Sequence, residues 1–350
     1  MASLSTWLRD RIPVSGDALR ELTNEPVPNH LKRWWLCLGG TPAYLFVVQI
    51  ITGILLAFYY EASPSTAYES VHYITNEAAY GWFLRSVHKW GATLMVAAVI
   101  LHQMRVYFTG AYRRPRELNW MIGMCLLVCT LMMGFTGYSL VYEQLSFWGA
   151  TVGANIADTV PGIGTFIKQM MLGGDAYNER TLSRFYVIHA AVLPAATVLL
   201  LFIHITLIRL QGITEFPDAD SANNSKPRYF NFFPDHMYTE LIIGLVLMIL
   251  LSALATILPA TMGPRADPLT TPEVIKPEWF LYVTFRWLKL FAGTFAVLSM
   301  GFIVFVMFAW PFIDGWIRRR WPASEASVWI GIFGVLTIIG LTVWEGLVAH

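Results

Sequence analysis

Six stretches of about twenty residues contain no Asp, Glu, Lys or Arg: Thr41–Tyr60, Leu118–Tyr142, Phe185–Ile208, Leu241–Met262, Leu290–Ile313 and Ala326–Trp344. A seventh, Trp90–Met104, is shorter and resumes past Arg105 with Val106–Phe108. A helix needs about 20 apolar residues to cross a hydrocarbon layer ~30 Å thick. A membrane barrel would instead alternate apolar and polar residues along each strand. The chain is therefore expected to be an all-α integral membrane protein with seven transmembrane helices. Composition agrees, with 56% apolar and 13% charged residues, the latter about half the share in soluble domains. In water such a chain would expose large aggregating patches. It carries too little charge to persist as a disordered one. At a net charge of +1 it lacks the basic surface of a nucleic-acid binder, so no nucleic acid partner is expected.

Lys and Arg at the span ends set the orientation. One side collects 15 of the 24, among them Arg113, Arg114, Arg116, Arg209 and Arg318–Arg320. This predicts an N-terminus inside and a C-terminus outside. The first 40 residues show no secretory leader pattern. Two outer connections, about 143–184 and 263–289, are long enough to expect function in them. Three cysteines are too few for a disulfide framework. Cys125 and Cys129, one turn apart within a span, read as small core residues.

Four of the eight histidines lie in two spans: His88 and His102 in the second, His189 and His204 in the fourth. The members of the first pair are 14 residues apart and those of the second 15. Fourteen residues make nearly four helical turns, so each pair shares a helix face across ~21 Å of height. Facing helices would then present His88 with His189 near the outer side and His102 with His204 near the inner side. Two imidazoles at one depth of a bundle are the iron ligand set of a bis-histidine haem. The bland alternative is four core histidines hydrogen-bonded between helices. Gly39 and Gly53 lie 14 apart at and within the first span, and Gly123 and Gly137 lie 14 apart in the third. Each haem level can thus receive two residues without side chains, although helix packing alone also favours small residues. Arg85 and Arg105, three residues from His88 and His102, are candidate propionate partners.

The stretches SVHKWGA (86–92), LHQMRVYFTGAYRRPRELNW (101–120), GYSLVYEQ (137–144), TLSRFYVIHAAVLP (181–194), HITLIRLQGI (204–213), ADPLTTP (266–272) and KPEWF (276–280) resemble the cytochrome b of Rieske/cytochrome b quinol oxidoreductases. The resemblance runs from about residue 26 to the last span. It implies a four-helix haem bundle in residues 1–213 and a three-helix, subunit IV-like part in residues 214–350. The 15-residue histidine spacing and VPNHLKRWWLCLGG (27–40) are similar to the chloroplast-like branch, here with both parts fused. In that branch a Cys before Leu-Gly-Gly carries a third haem through one thioether bond, so Cys37 is expected to hold a covalent c-type haem beside the inner b-type haem. FFPDH (232–236) resembles bacterial menaquinol-using relatives, so the resemblance implies a bacterial inner (plasma) membrane.

The same resemblance implies quinol oxidation on the outer side. A quinol must lose two protons beside an apolar pocket, and a carboxylate at its edge can accept one. Glu278 is that candidate, within Pro277-Glu278-Trp279-Phe280. The family motif ends in Tyr, and Phe280 departs from it. The bland alternative has Glu278 capping a loop helix with Pro277 in its first turn. Tyr138, Phe147, Trp148, Gly149 and the turn Val160–Gly164 are expected to form the opposite wall. Val141-Tyr142-Glu143-Gln144 stands where the chloroplast-type pattern has Pro-Trp-Asp-Gln. Arg209 is expected beside the third haem at the inner quinone site, or else as an arginine reaching the inner membrane surface.

The expected function is a quinol:cytochrome c (or plastocyanin-like acceptor) oxidoreductase subunit, coupled to proton translocation. Its expected partners are a Rieske iron–sulfur protein, a c-type cytochrome or equivalent, the quinone pool, lipid and a second copy of the complex. A transmembrane dihaem electron conduit without a quinone cycle is the alternative.

Overall fold

The computed structural model describes residues 26–28, 31, 38–214, 229–291 and 293–348. Cys37 lies outside the described residues, so the thioether site receives no structural account.

The described chain is almost wholly helical, apart from one antiparallel pair of short strands, β1 (Pro26–Pro28) and β2 (Tyr229–Asn231). The helices that lead to the first histidine level are α1 (Gly40–Ala57), α2 (Ala67–Asn76), α3 (Gly81–Phe108) and α4 (Glu117–Ser139). The connection after α4 is itself helical, with α5 (Gln144–Asp158) and α6 (Gly164–Leu172). Next come α7 (Glu179–Val187), a wider π turn over Ile188–Val192, and α8 (Leu193–Gln211), which together form one span. The C-terminal part holds α9 (Met237–Ile257), α10 (Tyr282–Leu290), α11 (Gly293–Phe308), α12 (Trp310–Arg320) and α13 (Ala326–Leu347).

Six helical segments are long and apolar enough to cross a membrane, among the described residues: Gly40–Ala57, Gly81–Phe108, Glu117–Ser139, Glu179–Gln211, Phe232–Ile257 and Ala326–Leu347. The sixth expected span, Leu290–Ile313, is corrected. Leu290 closes α10 and Phe291 is extended. α11 then ends at Phe308 and α12 leaves it at 65°. Pro311 explains the break, since proline sits in the first turn of α12, where its missing N–H costs nothing, but not inside a continuing helix. The fifth span also ends early, at Ile257, because Leu258 precedes Pro259 and leaves the helical region.

The π turn settles the odd histidine spacing. One wide turn accommodates one surplus residue, so 15 residues along α7–α8 cover the same height and face as 14 along α3. Pro194, in the first turn of α8, supplies no N–H to the preceding turn and favours the wider register there.

The main core joins α1, α3 and α9 through Leu45, Phe46, Val87, Met95, Leu251 and Ala255. Outward residues such as Phe202 and Phe333 are 69% and 72% exposed, as expected of surfaces that face lipid rather than water. At one end of the fold Glu345 of α13 is fully buried. It lies 3.5 Å from Arg286 and 3.3 Å from Lys289 of α10, and the Arg286 guanidinium sits 3.8 Å over the Trp344 ring. These contacts fasten α10 to the last span. Glu345→Ala removes the counter-charge of Arg286, whose side chain is 14% exposed, and of Lys289, which reaches solvent at 36%, and is expected to cost about 2 kcal/mol, read as a lowered unfolding midpoint of the detergent-solubilised protein.

Candidate functional site

The two histidine pairs come together as the spacing predicts. The His88 and His189 rings lie 6.3 Å apart between centroids, and those of His102 and His204 lie 6.4 Å apart. A metal ~2 Å from each coordinating nitrogen, with each ring centre roughly 1 Å farther back, calls for ring centres about 6 Å apart. Among the described residues no group of three or more His, Cys, Asp and Glu could hold a bare ion. The arrangement therefore fits an iron whose remaining ligands come from a macrocycle.

The glycines sort onto the same two levels. A Cβ at Gly53 would lie 3.3 Å from His88 Cε1, and one at Gly137 would lie 2.6 Å from His189 Cε1. At the other level a Cβ at Gly39 would lie 3.5 Å from His102 Cε1 and one at Gly123 3.7 Å from His204 Cε1. Each imidazole thus rests against a glycine of a neighbouring helix or its cap, one more specific than the shared levels alone required.

Two threonines fix the rings of the His88–His189 level. The Thr52 hydroxyl donates to the Val48 carbonyl at 2.7 Å and meets His88 Nδ1 at 2.8 Å. Its single hydrogen is used, so it accepts from Nδ1–H and leaves Nε2 with its lone pair. Thr136 repeats the device, donating to Met132 at 2.7 Å and meeting His189 Nδ1 at 3.2 Å. Such a bond sets the tautomer and ring orientation of a metal-binding histidine. Sequence reasoning missed both threonines; the available signal was a Thr next to each outer-level glycine.

Arg85 is engaged by the fold. Its guanidinium donates to Thr75 at 3.2 Å, to the Ala260 carbonyl at 2.8 Å and to the Thr261 carbonyl at 3.1 Å, which ties α3 to the segment after α9. Arginine has five N–H donors, so two remain for an anion. Arg105 follows His102 by three residues in α3. Arg209 lies with its guanidinium 5.2 Å over the Phe232 ring. Close to the His102 level, the Glu240 carboxylate fills the notch above Gly40 and lies 3.6 Å from His236 Nε2.

At the other level the loop that carries Glu278 is held against α4 and α5. Glu143 caps α5 and accepts from Gly263 N–H at 2.7 Å. Gln144 accepts from Asp267 N–H at 2.6 Å, donates to the Thr270 carbonyl, and takes the Pro264 carbonyl on its own N–H. The stretch Val141–Gln144 therefore positions residues 263–270. Glu278 precedes a short 3₁₀ turn, Trp279–Leu281, with no side-chain cap bond. Its carboxylate makes no hydrogen bond or ion pair among the described residues, so the capping alternative is not realised. Tyr138 lies within electrostatic reach of both Glu143 and Glu278. Burial, followed by the charges of Glu278 and Glu345, raises the Tyr282 hydroxyl above its ordinary range. Trp279 packs edge-on against Phe280 at 6.0 Å, with its indole N–H buried and lacking an acceptor among the described residues. Gly149 faces Tyr138, with 3.3 Å between a Cβ there and Tyr138 Cε1. Phe147 does not line this face as expected. It is buried with Tyr142 and Leu182, its ring 4.5 Å from that of Tyr177, because its position in α5 turns it into the packed interior.

The Phe280 ring lies over Gly134, its Cζ 2.7 Å from where a Cβ would stand. Cζ is the atom that carries the hydroxyl in tyrosine, so the departure at this position coincides with a close approach to bare backbone.

Comparison with known proteins bears on the whole chain. The family model described as Cytochrome b/b6/petB matches residues 22–212, and that described as Cytochrome b(C-terminal)/b6/petD matches residues 265–349. A cytochrome b6 of Heliomicrobium gestii is 47% identical over 209 residues, 60% of this chain and 98% of the relative. A cytochrome bc complex cytochrome b subunit of Chlorobaculum thiosulfatiphilum is 33% identical over 348 residues, 97% of this chain and 79% of the relative. A solved structure described as a hyperthermophilic respiratory Complex III has the same fold, with a TM-score of 0.85 at 24% identity over 99% of this chain and 92% of that one.

The four glycines rank by clearance. Gly137→Ala is expected to displace His189, and with each histidine pair holding one b-type haem this would roughly halve the b-type band of a reduced-minus-oxidised spectrum. Gly53→Ala, Gly39→Ala and Gly123→Ala should perturb the bands progressively less, following their contacts of 3.3, 3.5 and 3.7 Å.

Proposed function

The chain belongs to the cytochrome b/b6 family, and from that premise we propose that it is the fused, seven-helix cytochrome b subunit of a membrane quinol oxidoreductase. As a cytochrome b-type subunit of a bc-type complex it serves electron transfer. The bent pair α11–α12 supplies the seventh crossing in this reading. The observation that carries it is the two facing imidazole pairs, each seated against two glycines.

His88 and His189 would hold the outer b-type haem, His102 and His204 the inner one, and Cys37 a third, c-type haem. When bound, these groups would supply one-electron redox centres between an outer quinol site and an inner quinone site. The protein's own residues do the rest. Gly39, Gly53, Gly123 and Gly137 clear space at the rings. Thr52 and Thr136 keep Nδ1 protonated and Nε2 free at the outer level. Arg85 and Arg105 offer positive charge to propionates, and Arg209 to a quinone at the inner site. At the outer site Glu278 accepts a proton from the quinol hydroxyl, with Pro277 setting its approach and Tyr138 and Trp279 bordering it. The unengaged state of the Glu278 carboxylate supports this role. Of the two electrons released, one leaves to a Rieske iron–sulfur protein and the other moves inward. In this reading the Rieske protein and the c-type cytochrome are partners of the present sequence, which shows neither a Cys-His cluster nor a CxxCH motif. Protons are released outside and taken up inside a bacterial plasma membrane, with the N-terminus inside, the C-terminus outside, and the complex a homodimer. The resemblance of Phe232–His236 to menaquinol-using relatives supports a menaquinol-type substrate.

Glu278→Gln in the purified complex is expected to lower quinol oxidation about 100-fold while the haem spectrum stays unchanged. Unimpaired turnover would remove Glu278 as the proton acceptor, whereas a wild-type complex that transfers electrons without oxidising quinol would favour a dihaem conduit without a quinone cycle. Cys37→Ala should remove the haem stain from this chain on a denaturing gel and leave both b-type haems in the pyridine haemochrome assay.

A further inference from the structure

We propose that the arginine-lined cavity beside Asp314 binds the phosphodiester headgroup of an anionic phospholipid. After α11 the chain bends by 65° into α12. This helix exposes Phe312 and Trp316, 55% and 58% accessible, and ends in Arg318–Arg320. Apolar and aromatic side chains beside a basic run fit a helix that ends a crossing at the membrane interface. Between it and the turn joining α3 to α4 is a cavity of about 210 Å³. Four arginines line it, Arg113, Arg114, Arg318 and Arg319, against two carboxylates, Asp314 and Glu117.

Asp314 is fully buried. It accepts from Arg113 Nε at 3.0 Å, from Arg318 Nε at 3.1 Å on either oxygen, and from the Ser327 hydroxyl. Both arginines are thus held by Nε, and their terminal Nη donors make no hydrogen bond among the described residues. Arg114 and Arg319 make no hydrogen bond or ion pair there either. The floor is rigid. Trp310 Nε1 donates to the Tyr112 hydroxyl at 3.1 Å, Trp120 Nε1 to the Met307 carbonyl at 2.8 Å, and the Tyr107 hydroxyl to the Ser327 carbonyl at 2.7 Å. Planar guanidiniums fixed in this way match phosphate oxygens bidentately, and basic pockets between membrane helices take lipid headgroups. The exposed Phe312 and Trp316 beside the charges fit acyl chains, which a free phosphate does not have. The proposal rests on the membrane placement of the chain and not on the haem or quinol assignments.

The test is native mass spectrometry of the purified complex in detergent, titrated separately with phosphatidylglycerol, phosphatidylcholine and inorganic phosphate. Wild type is expected to hold one phosphatidylglycerol per chain that R114Q/R319Q binds at least tenfold more weakly, with phosphatidylcholine not substituting. R320Q should bind as wild type, since that guanidinium stacks on Trp321 at 5.9 Å and does not line the cavity. The size-exclusion profile of each variant reports assembly. If R114Q/R319Q fails to assemble, R114K/R319K keeps the charge but loses the planar fork, and should bind severalfold more weakly. Equal phosphatidylglycerol retention in the assembled variant and wild type would overturn the proposal, as would displacement of the lipid by equimolar inorganic phosphate.

Discussion

The two facing imidazole pairs are held at a fixed separation of 6.3 and 6.4 Å inside an apolar bundle, and the rest of the fold is arranged around that separation. A helix satisfies it twice only if its histidines return to the same face. Fourteen residues do this along α3. The α7–α8 span has one residue more, and the π turn at Ile188–Val192 absorbs it at the outer histidine itself. Without that turn His189 would point about 100° away from His88. The glycines of α4 and of α1 and its cap repeat the 14-residue period because they serve the same two levels.

Under the proposed function, the end that carries Glu278 answers a different constraint. A carboxylate that is to take a proton from a substrate must not already be satisfied by the fold. Three glutamates gather near this end. Glu143 is spent on the Gly263 N–H and on the cap of α5. Glu345 is buried against Arg286 and Lys289. Both hold the segment that carries Glu278 from opposite sides, one before it and one after. The residue in the middle is left without a partner among the described residues.

Much of this was legible in the sequence. The spans could be read because charge is nearly absent from them, and the histidine levels because the helical period is rigid. The span ends could not be read from hydropathy alone. Leu258 and Ala309 leave their helices because of Pro259 and Pro311, in sequence that remains apolar. The π turn left only a one-residue surplus as its trace, with Pro194 marking where it falls. Thr52 and Thr136 were invisible because a threonine bonded to its own helix looks like any other in a span. Phe147 was misplaced because an aromatic residue in a loop does not reveal which way its helix will face. Glu345 could have been found, since an acidic residue at the end of an apolar span, on the same side as Arg286 and Lys289, needs a cation.

Phe280 shows how a departure from a family pattern can be read physically. The ring is seated on Gly134, which offers no side chain, and its para carbon makes the closest approach. A hydroxyl at that carbon would need the space that backbone now occupies, so a tyrosine loop would have to stand farther from α4. Losing the oxygen thus lets the loop seat more deeply, with Glu278 and Tyr138 within electrostatic reach of each other. The glycine and the phenylalanine form one feature, in which a small residue on a span and a missing hydroxyl on a loop together set how closely the Glu278 loop approaches the bundle.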